Sequence, residues 1–221
     1  MFAGFHGKVY NKRRNEKAIE GIEMERIAEH IVNWQIKKGM LKEADKAAYV
    51  YAYETLFMRA VNFLIAVLIG LFMKNLSGVL VFLVAYIPLR TYAGGYHARD
   101  SFRCMIFSAI LTAAVAAITK LSFLGEMSKG LILFTVIGIA CYVGILFFAP
   151  VADENKPLDA GERKRYAMRA RLISSLEIIA AMICLFLGQK SIGSVLMLVQ
   201  IIMTVMLILG ILNNKRLQSK A

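Results

Sequence analysis

The longest apolar run in the chain is Ser191-Ile-Gly-Ser-Val-Leu-Met-Leu-Val-Gln-Ile-Ile-Met-Thr-Val-Met-Leu-Ile-Leu-Gly-Ile-Leu212. A hydrocarbon core of about 30 Å requires about 20 consecutive helical residues. This run of 22 residues meets that length without a single charged side chain. It therefore predicts a membrane-spanning helix, and the fold class follows from its neighbours.

Five more apolar runs precede it, at residues 56–73, 76–89, 104–119, 130–149 and 172–188. The run at 130–149 also reaches spanning length, whereas the run at 76–89 corresponds to only about 21 Å of helix. Because the run at 104–119 is short as well, we expect either that the linker between these two runs dips into the cytosolic headgroup layer or that the bilayer thins there. The predicted fold is an all-α polytopic membrane protein with about six transmembrane helices and an N-terminal amphipathic arm.

The composition agrees with a membrane protein, since 58% of the 221 residues are apolar. The net charge of +12 is split among loops, which favours the positive-inside bias of membrane proteins over nucleic-acid binding. With both termini inside, the inner segments carry 22 Lys and Arg residues and the outer loops carry 4. The three cysteines show no CxxC spacing, so no disulfide framework, metal site or cofactor is indicated. The first 17 residues lack the apolar region of a signal peptide.

The chain divides into a cytosolic or interfacial helical arm at 1–55, a membrane domain at 56–212 and a basic cytosolic tail at 213–221. The arm should form a helix over 16–38, because apolar side chains recur at helical spacing: Ile19, Ile22, Ile27, Ile31 and Trp34. This helix either packs on its own domain or lies on the membrane surface. Gly39 is a candidate helix end, and a second helix should start near Lys42.

A polar linker at 90–104 separates the two short runs and carries the residues best suited to chemistry. It reads Arg90-Thr-Tyr-Ala-Gly-Gly-Tyr-His-Ala-Arg-Asp-Ser-Phe-Arg-Cys104. Asp100 and Ser101 are good N-caps for a helix beginning near Phe102, which places Cys104 in the first turn, where free N–H groups favour a thiolate.

His97 and Cys104 would lie about 10.5 Å apart on one continuous helix, too far for proton transfer. We therefore expect the chain to bend between them, within 98–101. The Gly94-Gly95 pair permits backbone angles closed to other residues, and its N–H groups are candidates to polarise a scissile carbonyl. From composition alone, a plain turn and ordinary positive-inside arginines remain the alternative.

The linker resembles the signature of the AgrB family, the membrane peptidases that process quorum-sensing peptide precursors. The shared pattern is an arginine, then Gly-Gly-x-His-Ala, then a cysteine, here Arg90, Gly94-Gly95-Tyr96-His97-Ala98 and Cys104. The stretch Ala149-Pro-Val-Ala-Asp-Glu-Asn-Lys-Pro-Leu158 is similar to a second part of the family. The chain length, the six apolar runs and the basic amphipathic N-terminus agree, so the resemblance covers most of the chain.

The resemblance implies that Cys104 is the nucleophile and His97 the catalytic histidine, with Arg90 and Gly95 also required. It implies a short AgrD-like precursor with an amphipathic leader, a central signal sequence and an acidic tail. The peptidase removes the tail and holds the remainder as a thioester, which an internal Cys or Ser attacks to give a cyclic thiolactone or lactone. A bacterial plasma-membrane location and a homodimer are also implied.

Other polar residues are candidates for support. An acidic tail would be attracted to basic inner loops, above all to Arg163, Lys164 and Arg165, for which membrane topology is the alternative explanation. The intramembrane residues Glu177 and Arg59 are costly unless paired, and could pair with each other. Cys141 and Cys184 lie within apolar runs and are read as core residues. The competing function is a non-enzymatic peptide exporter or sensor subunit.

The charge distribution predicts that the 90–103 linker faces the cytosol. A variant whose single cysteine stands at position 99 should resist an impermeant thiol reagent added outside intact cells and react after permeabilisation. Labelling in intact cells would overturn this topology.

Overall fold

The computed structural model describes residues 19–96, 101–123, 128–152 and 159–218. These residues form seven α-helices and no strand, which confirms the predicted all-α membrane protein. The helices are α1 (Ile19–Lys37), α2 (Lys46–Phe72), α3 (Leu76–Ala93), α4 (Ser101–Phe123), α5 (Ser128–Phe148), α6 (Ala160–Phe186) and α7 (Lys190–Gln218), with a 3₁₀ turn at Glu43–Asp45 before α2.

The chain forms two compact units. The first comprises residues up to 64 together with 99–106, and the second comprises 65–98 and 107–221. Helices α2 and α4 therefore each contribute residues to both units.

In the first unit, helix α1 packs against the first half of α2. Ala28 and Val32 are fully buried beside Val50, and the Gln35 amide donates a 2.7 Å hydrogen bond to Tyr53 Oη. The arm helix thus packs mainly on the N-terminal part of α2, and whether it also lies on the membrane surface stays a prediction. The predicted face was partly wrong, because Ile27 and Trp34 are both 53% exposed; the small side chain of Ala28 allows closer helix packing than a bulky one. Gly39, with a φ of +70°, follows the helix end as expected.

Helix α7 is the centre of the second unit, where it packs against α3, α5 and α6. All eight residues from Gly193 to Gln200 are buried, and Met197, Met203 and Leu207 lie in the shared core. The longest apolar run therefore occupies the centre of the unit. The surrounding helices present their apolar residues partly to the exterior, as lipid-facing surfaces require.

Four helical segments are long and apolar enough to cross a membrane, at residues 43–72, 76–93, 131–148 and 190–215. The apolar part of α4, at 104–120, is shorter, and α6 begins with a basic half before its apolar half. The protein is thus a polytopic membrane protein, while the six-span count stays a prediction.

The expectation of a short second span was wrong, because the helix is longer than its apolar run. Helix α3 has 18 residues, about 27 Å, and Pro88 lies inside it. A proline removes one helical hydrogen bond and kinks or breaks a helix; here α3 continues through Arg90 to Ala93. Because α3 is long enough to span, a sunken linker or a thinned bilayer is no longer needed to explain the second run. Only the shorter apolar part of α4 still favours either one.

Candidate functional site at the end of helix α3

Helix α3 ends in a tight turn that only glycine forms without strain. Gly94 has φ +72° and ψ −136°, and Gly95 has φ +101°, both in the region that L-residues rarely adopt. Helix α3 therefore ends at Ala93, before the linker reaches His97. The bend expected within 98–101 falls mostly outside the described residues and stays a prediction.

Hydrogen bonds from other parts of the chain hold this turn. The Gly95 N–H donates to the Val151 carbonyl at 3.3 Å, and the Val151 N–H donates to the Ala93 carbonyl at 3.0 Å. Gly94 and Val151 thereby form an isolated parallel bridge. The Tyr96 N–H donates to the Met206 carbonyl of α7 at 3.0 Å. The turn is thus fixed on two sides, by the segment after α5 and by α7.

Arg90 closes the turn from inside. Its guanidinium donates one hydrogen bond to the Gly94 carbonyl and another to the Tyr96 carbonyl. Charge-assisted hydrogen bonds of this kind are stronger than neutral ones, and the planar guanidinium fixes the positions of both acceptors. Arg90 therefore holds the backbone immediately before His97.

The same bonds bear on the expected role of the two glycines. The Gly94 N–H donates to the Arg90 carbonyl at 3.1 Å, and the Gly95 N–H is already bound to Val151. Neither group is free to donate to a scissile carbonyl in this arrangement. The geometry supports a different use of the glycines, namely that the missing Cβ atoms let the turn approach Val151 and α7 closely.

The residues expected to carry the chemistry are only partly described. His97 and Asp100 lie outside the described residues. Cys104 lies in the first turn of α4, which begins at Ser101, one residue before the expected start, and its side chain is partly buried. Within the described ranges, no group of three His, Cys, Asp or Glu side chains could hold a metal ion.

A basic cavity lies beside the turn. It has a volume of about 400 Å³ and is lined by Arg163, Lys164 and Arg171 of α6, together with Phe147, Phe148, Ala149 and Pro150. The segment Ala149–Val151 thus borders the cavity at one end and pairs with Gly94 at the other. Arg165, predicted from the sequence with its two neighbours, is exposed and does not line the cavity, because successive helical residues point in different directions.

Aromatic contacts attach this basic part of α6 to the end of α3. The rings of Tyr92 and Tyr166 meet edge to face with centroids 5.5 Å apart, and the Arg169 guanidinium lies 5.2 Å from the Tyr92 ring centroid. Tyrosines and arginines at one level are typical of a membrane interface. The turn and the cavity therefore lie on the same end of the helices of the second unit.

Sequence reasoning missed several residues that build the site. Val151 and Met206 act through backbone atoms, which no side-chain pattern reveals. Gly210 was also missed: a Cβ there would lie 2.8 Å from the Tyr96 nitrogen, so this glycine lets the turn reach α7. For Glu177 the sequence offered a pair with Arg59 as one possibility, Glu54 being another partner for that arginine; in the structure Gln200 donates to Glu177. The sequence did offer a signal for this partner, because Gln200 is a polar residue in the middle of the longest apolar run.

The turn predicts unequal effects of two glycine substitutions. Gly94→Ala should lower the free energy of unfolding by more than Gly188→Ala, because its Cβ would lie 2.1 Å from the Val151 carbonyl oxygen whereas a Cβ at Gly188 meets nothing within 4 Å. Both positions have positive φ, so Gly188→Ala is the control for a side chain at positive φ that meets no neighbouring atom. Thermal unfolding in detergent measures both, and equal losses would show that Val151 does not restrain the turn.

Comparison with known proteins identifies the family of this chain. The family profile of accessory gene regulator B matches residues 24–211. An AgrB-like protein of Clostridium perfringens strain SM101 is 27% identical over 154 residues, which cover 66% of this chain and 72% of the relative. AgrB-like protein 2 of strain 13 is 27% identical over 124 residues, 55% of this chain and 58% of the relative. No solved structure matches the chain. The chain belongs to the AgrB family, which is involved in the processing of quorum-sensing peptides.

Proposed function

We propose that this protein is a membrane-embedded cysteine endopeptidase that removes the C-terminal tail of an AgrD-like pro-peptide and promotes cyclisation of the remainder. Cys104 is the nucleophile and His97 its base. The observation that carries the proposal is the fixed turn at Gly94–Tyr96, which ends one residue before His97 and is held by Arg90. A rigidly held backbone is what a catalytic base requires, since misplacement by 1 Å costs much of the rate.

The proposed chemistry proceeds in two acyl transfers. His97 takes the thiol proton, and the Cys104 sulfur attacks the scissile carbonyl. The C–N bond then breaks, His97 returns the proton to the leaving amine, and the tail departs. An internal Cys or Ser of the peptide next attacks the thioester, which forms the ring and releases Cys104. Ring closure competes with hydrolysis only where water is scarce and the internal nucleophile is held close.

The position of Cys104 supports its role. The first turn of a helix carries N–H groups without helical acceptors, and these favour a thiolate. The proposal requires that His97 comes within hydrogen-bond reach of Cys104.

The basic cavity is the proposed receptor for the acidic tail. Three cations line it, and two phenylalanines supply apolar walls, a combination that suits a peptide with acidic side chains or a free carboxylate. Ala149 and Pro150 line the cavity, and the next residue, Val151, pairs with Gly94 of the turn. A tail bound in the cavity would therefore lie close to the turn. We further propose a plasma-membrane protein with both termini cytosolic, acting as a homodimer.

The competing function is export or sensing of a peptide without bond cleavage. In that case His97 and Cys104 would only line a path. Cys104→Ser separates the two functions, because an exporter should still release peptide whereas a thiol peptidase should lose processing.

Cys104→Ala and His97→Ala should each abolish cleavage of a co-expressed AgrD-like precursor, because the reaction needs both the nucleophile and its base. Cys141→Ala and Cys184→Ala are the matched controls and should process normally, since both cysteines lie within apolar helices. Mass spectrometry of the peptide products measures the outcome, and membrane fractionation shows insertion. If Cys104→Ala or His97→Ala processed the precursor normally, the catalytic assignment of that residue would be wrong.

Reversal of charge at Arg163 and Lys164 should weaken precursor binding roughly 2- to 30-fold, because exposed charge pairs contribute about 0.2–1 kcal/mol each and 1.4 kcal/mol is about tenfold. Arg165→Glu is the matched control and should have a smaller effect, since Arg165 does not line the cavity. The defect should shrink at high salt. Binding assays and single-turnover kinetics in liposomes separate the effect on affinity from the effect on the chemical step. Equal effects at all three positions would contradict the proposal that the cavity binds the tail.

A further inference from the structure

Gly210 lies in the second half of α7, at a position where a side chain has no room. A Cβ atom there would lie 2.8 Å from the carbonyl carbon of Gly95, 2.8 Å from the nitrogen of Tyr96 and 2.9 Å from the Gly95 Cα atom. Cβ atoms in proteins essentially never show contacts under 3.0 Å. All three neighbouring atoms belong to the backbone, so Gly210 lets the turn after α3 touch α7 directly.

Gly138 of α5 shows the contrast with an ordinary packing glycine. A Cβ at Gly138 would first meet the sulfur of Met197 at 2.7 Å, and a flexible side chain of this kind can change its rotamer to make room. The turn cannot give way in the same manner, because hydrogen bonds from Arg90 and to Val151 hold its backbone. A methyl group at Gly210 would therefore act on the turn itself.

The group that Gly210 leaves accessible is the carbonyl of Met206, one helical turn earlier in α7. A carbonyl oxygen has two lone pairs, so it can accept a bond from outside the helix in addition to its helical one. The Tyr96 N–H makes this outside bond at 3.0 Å. The approach is close from both sides, since a Cβ on Gly95 would lie 2.8 Å from the same Met206 oxygen. One hydrogen bond thus depends on two glycines.

This hydrogen bond acts on the residue that directly precedes His97. The N–H of Tyr96 is bound to α7, and its carbonyl accepts from Arg90. A methyl group at Gly210 would have to move the turn until contacts of 2.8 Å become at least 3.4 Å, where ordinary contact begins. A misplacement of 1 Å can lower the rate of a catalysed reaction about 100-fold, so a shift of this size matters for a catalytic base.

We propose that Gly210 is a positioning residue for the reaction proposed above. It leaves the Met206 carbonyl open to the Tyr96 N–H, and this hydrogen bond fixes the backbone that leads into His97. The inference rests on the proposed function, because it takes His97 as the base. It makes the chemical step depend on α7, a helix that contributes no reacting group.

A purely structural role for Gly210 makes a different prediction. If this glycine only permits packing, an alanine lowers the amount of folded protein and leaves the folded molecules fully active. If it positions His97, the folded molecules of the variant bind precursor normally and react slowly. The two roles therefore differ in the rate of the chemical step, measured on the folded fraction.

Gly210→Ala tests the proposal in the full chain in liposomes, with an AgrD-like precursor as the probe. Single-turnover kinetics should show a rate about 10- to 100-fold lower, with unchanged precursor affinity. Gly144→Ala is the matched control, because it also adds a methyl group to a helix glycine facing α7 but would meet Thr204 at an ordinary 3.5 Å. A normal rate in Gly210→Ala, or a defect in affinity alone, would overturn the proposal.

A backbone substitution covers the case in which Gly210→Ala fails to fold. Replacement of Tyr96 by its α-hydroxy analogue turns the amide N–H into an ester oxygen, which deletes the donor to Met206 without adding bulk. The same replacement at Tyr142 removes one helical N–H of α5 and is the control. The ester at position 96 should slow the chemical step, and the ester at position 142 should not. Equal rates in the two esters would contradict the proposal.

Thiol reactivity separates this inference from the proposed function. With Cys141 and Cys184 replaced by alanine, the alkylation rate at neutral pH reports the activation of Cys104 by its base. Gly210→Ala should slow alkylation when His97 is present and have no effect in a His97→Ala background. Equal slowing in both backgrounds would show that Gly210 does not act through His97. The expected pattern in a wild type that leaves precursor uncleaved would keep the positioning role and remove the peptidase. Normal cleavage by Gly210→Ala would do the reverse.

Discussion

The hydrogen bond from the Tyr96 N–H to the Met206 carbonyl ties the end of α3 to the central helix α7. Backbone groups at membrane depth must find partners within the protein, and a helix that stops there leaves several without them. In a regular helix the Met206 carbonyl would pair with the N–H of Gly210. Because Gly210 has no side chain, the turn can reach that carbonyl from outside the helix, and the arrangement of the second unit at this end depends on that approach.

The hydrogen bonds of Arg90 satisfy both its own guanidinium and the backbone carbonyls of the same turn. A lone guanidinium near the hydrocarbon border is costly unless its donors are used, and two of the carbonyls that the turn leaves free accept them. The guanidinium thus has acceptors for its N–H groups, and the non-helical carbonyls have donors. These hydrogen bonds fix the direction of the chain as it leaves α3. A catalytic side chain that follows the turn would need such a fixed backbone.

The central position of α7 has a consequence for the polar residues of the unit. Apolar contacts between helices in a bilayer specify register weakly, since lipid tails offer equivalent contacts. The chain of Ser174, Gln200 and Glu177 provides directional bonds between α6 and α7. These bonds fix the position of α6 along the axis of α7. They thereby also fix the position of the basic residues Arg163 and Lys164, which lie at the start of α6 and line the cavity.

Apolar run length was sufficient for the all-helical membrane class. Apolar spacing predicted the helix found at Ile19–Lys37, and the N-cap candidates Asp100 and Ser101 predicted a helix start within one residue of the observed one. The linker motif alone singled out Arg90, the Gly94-Gly95 pair, His97 and Cys104. These features are local: they depend on side-chain type and spacing along one segment. Tertiary structure alone decided that α3 continues past Pro88, that Arg163 and Lys164 share a cavity which Arg165 does not, and that the two glycines serve close packing through Val151 and Met206. Those outcomes depend on backbone atoms and on neighbours more than 50 residues away in sequence, and a one-dimensional pattern carries no information about which distant carbonyl a given N–H will reach.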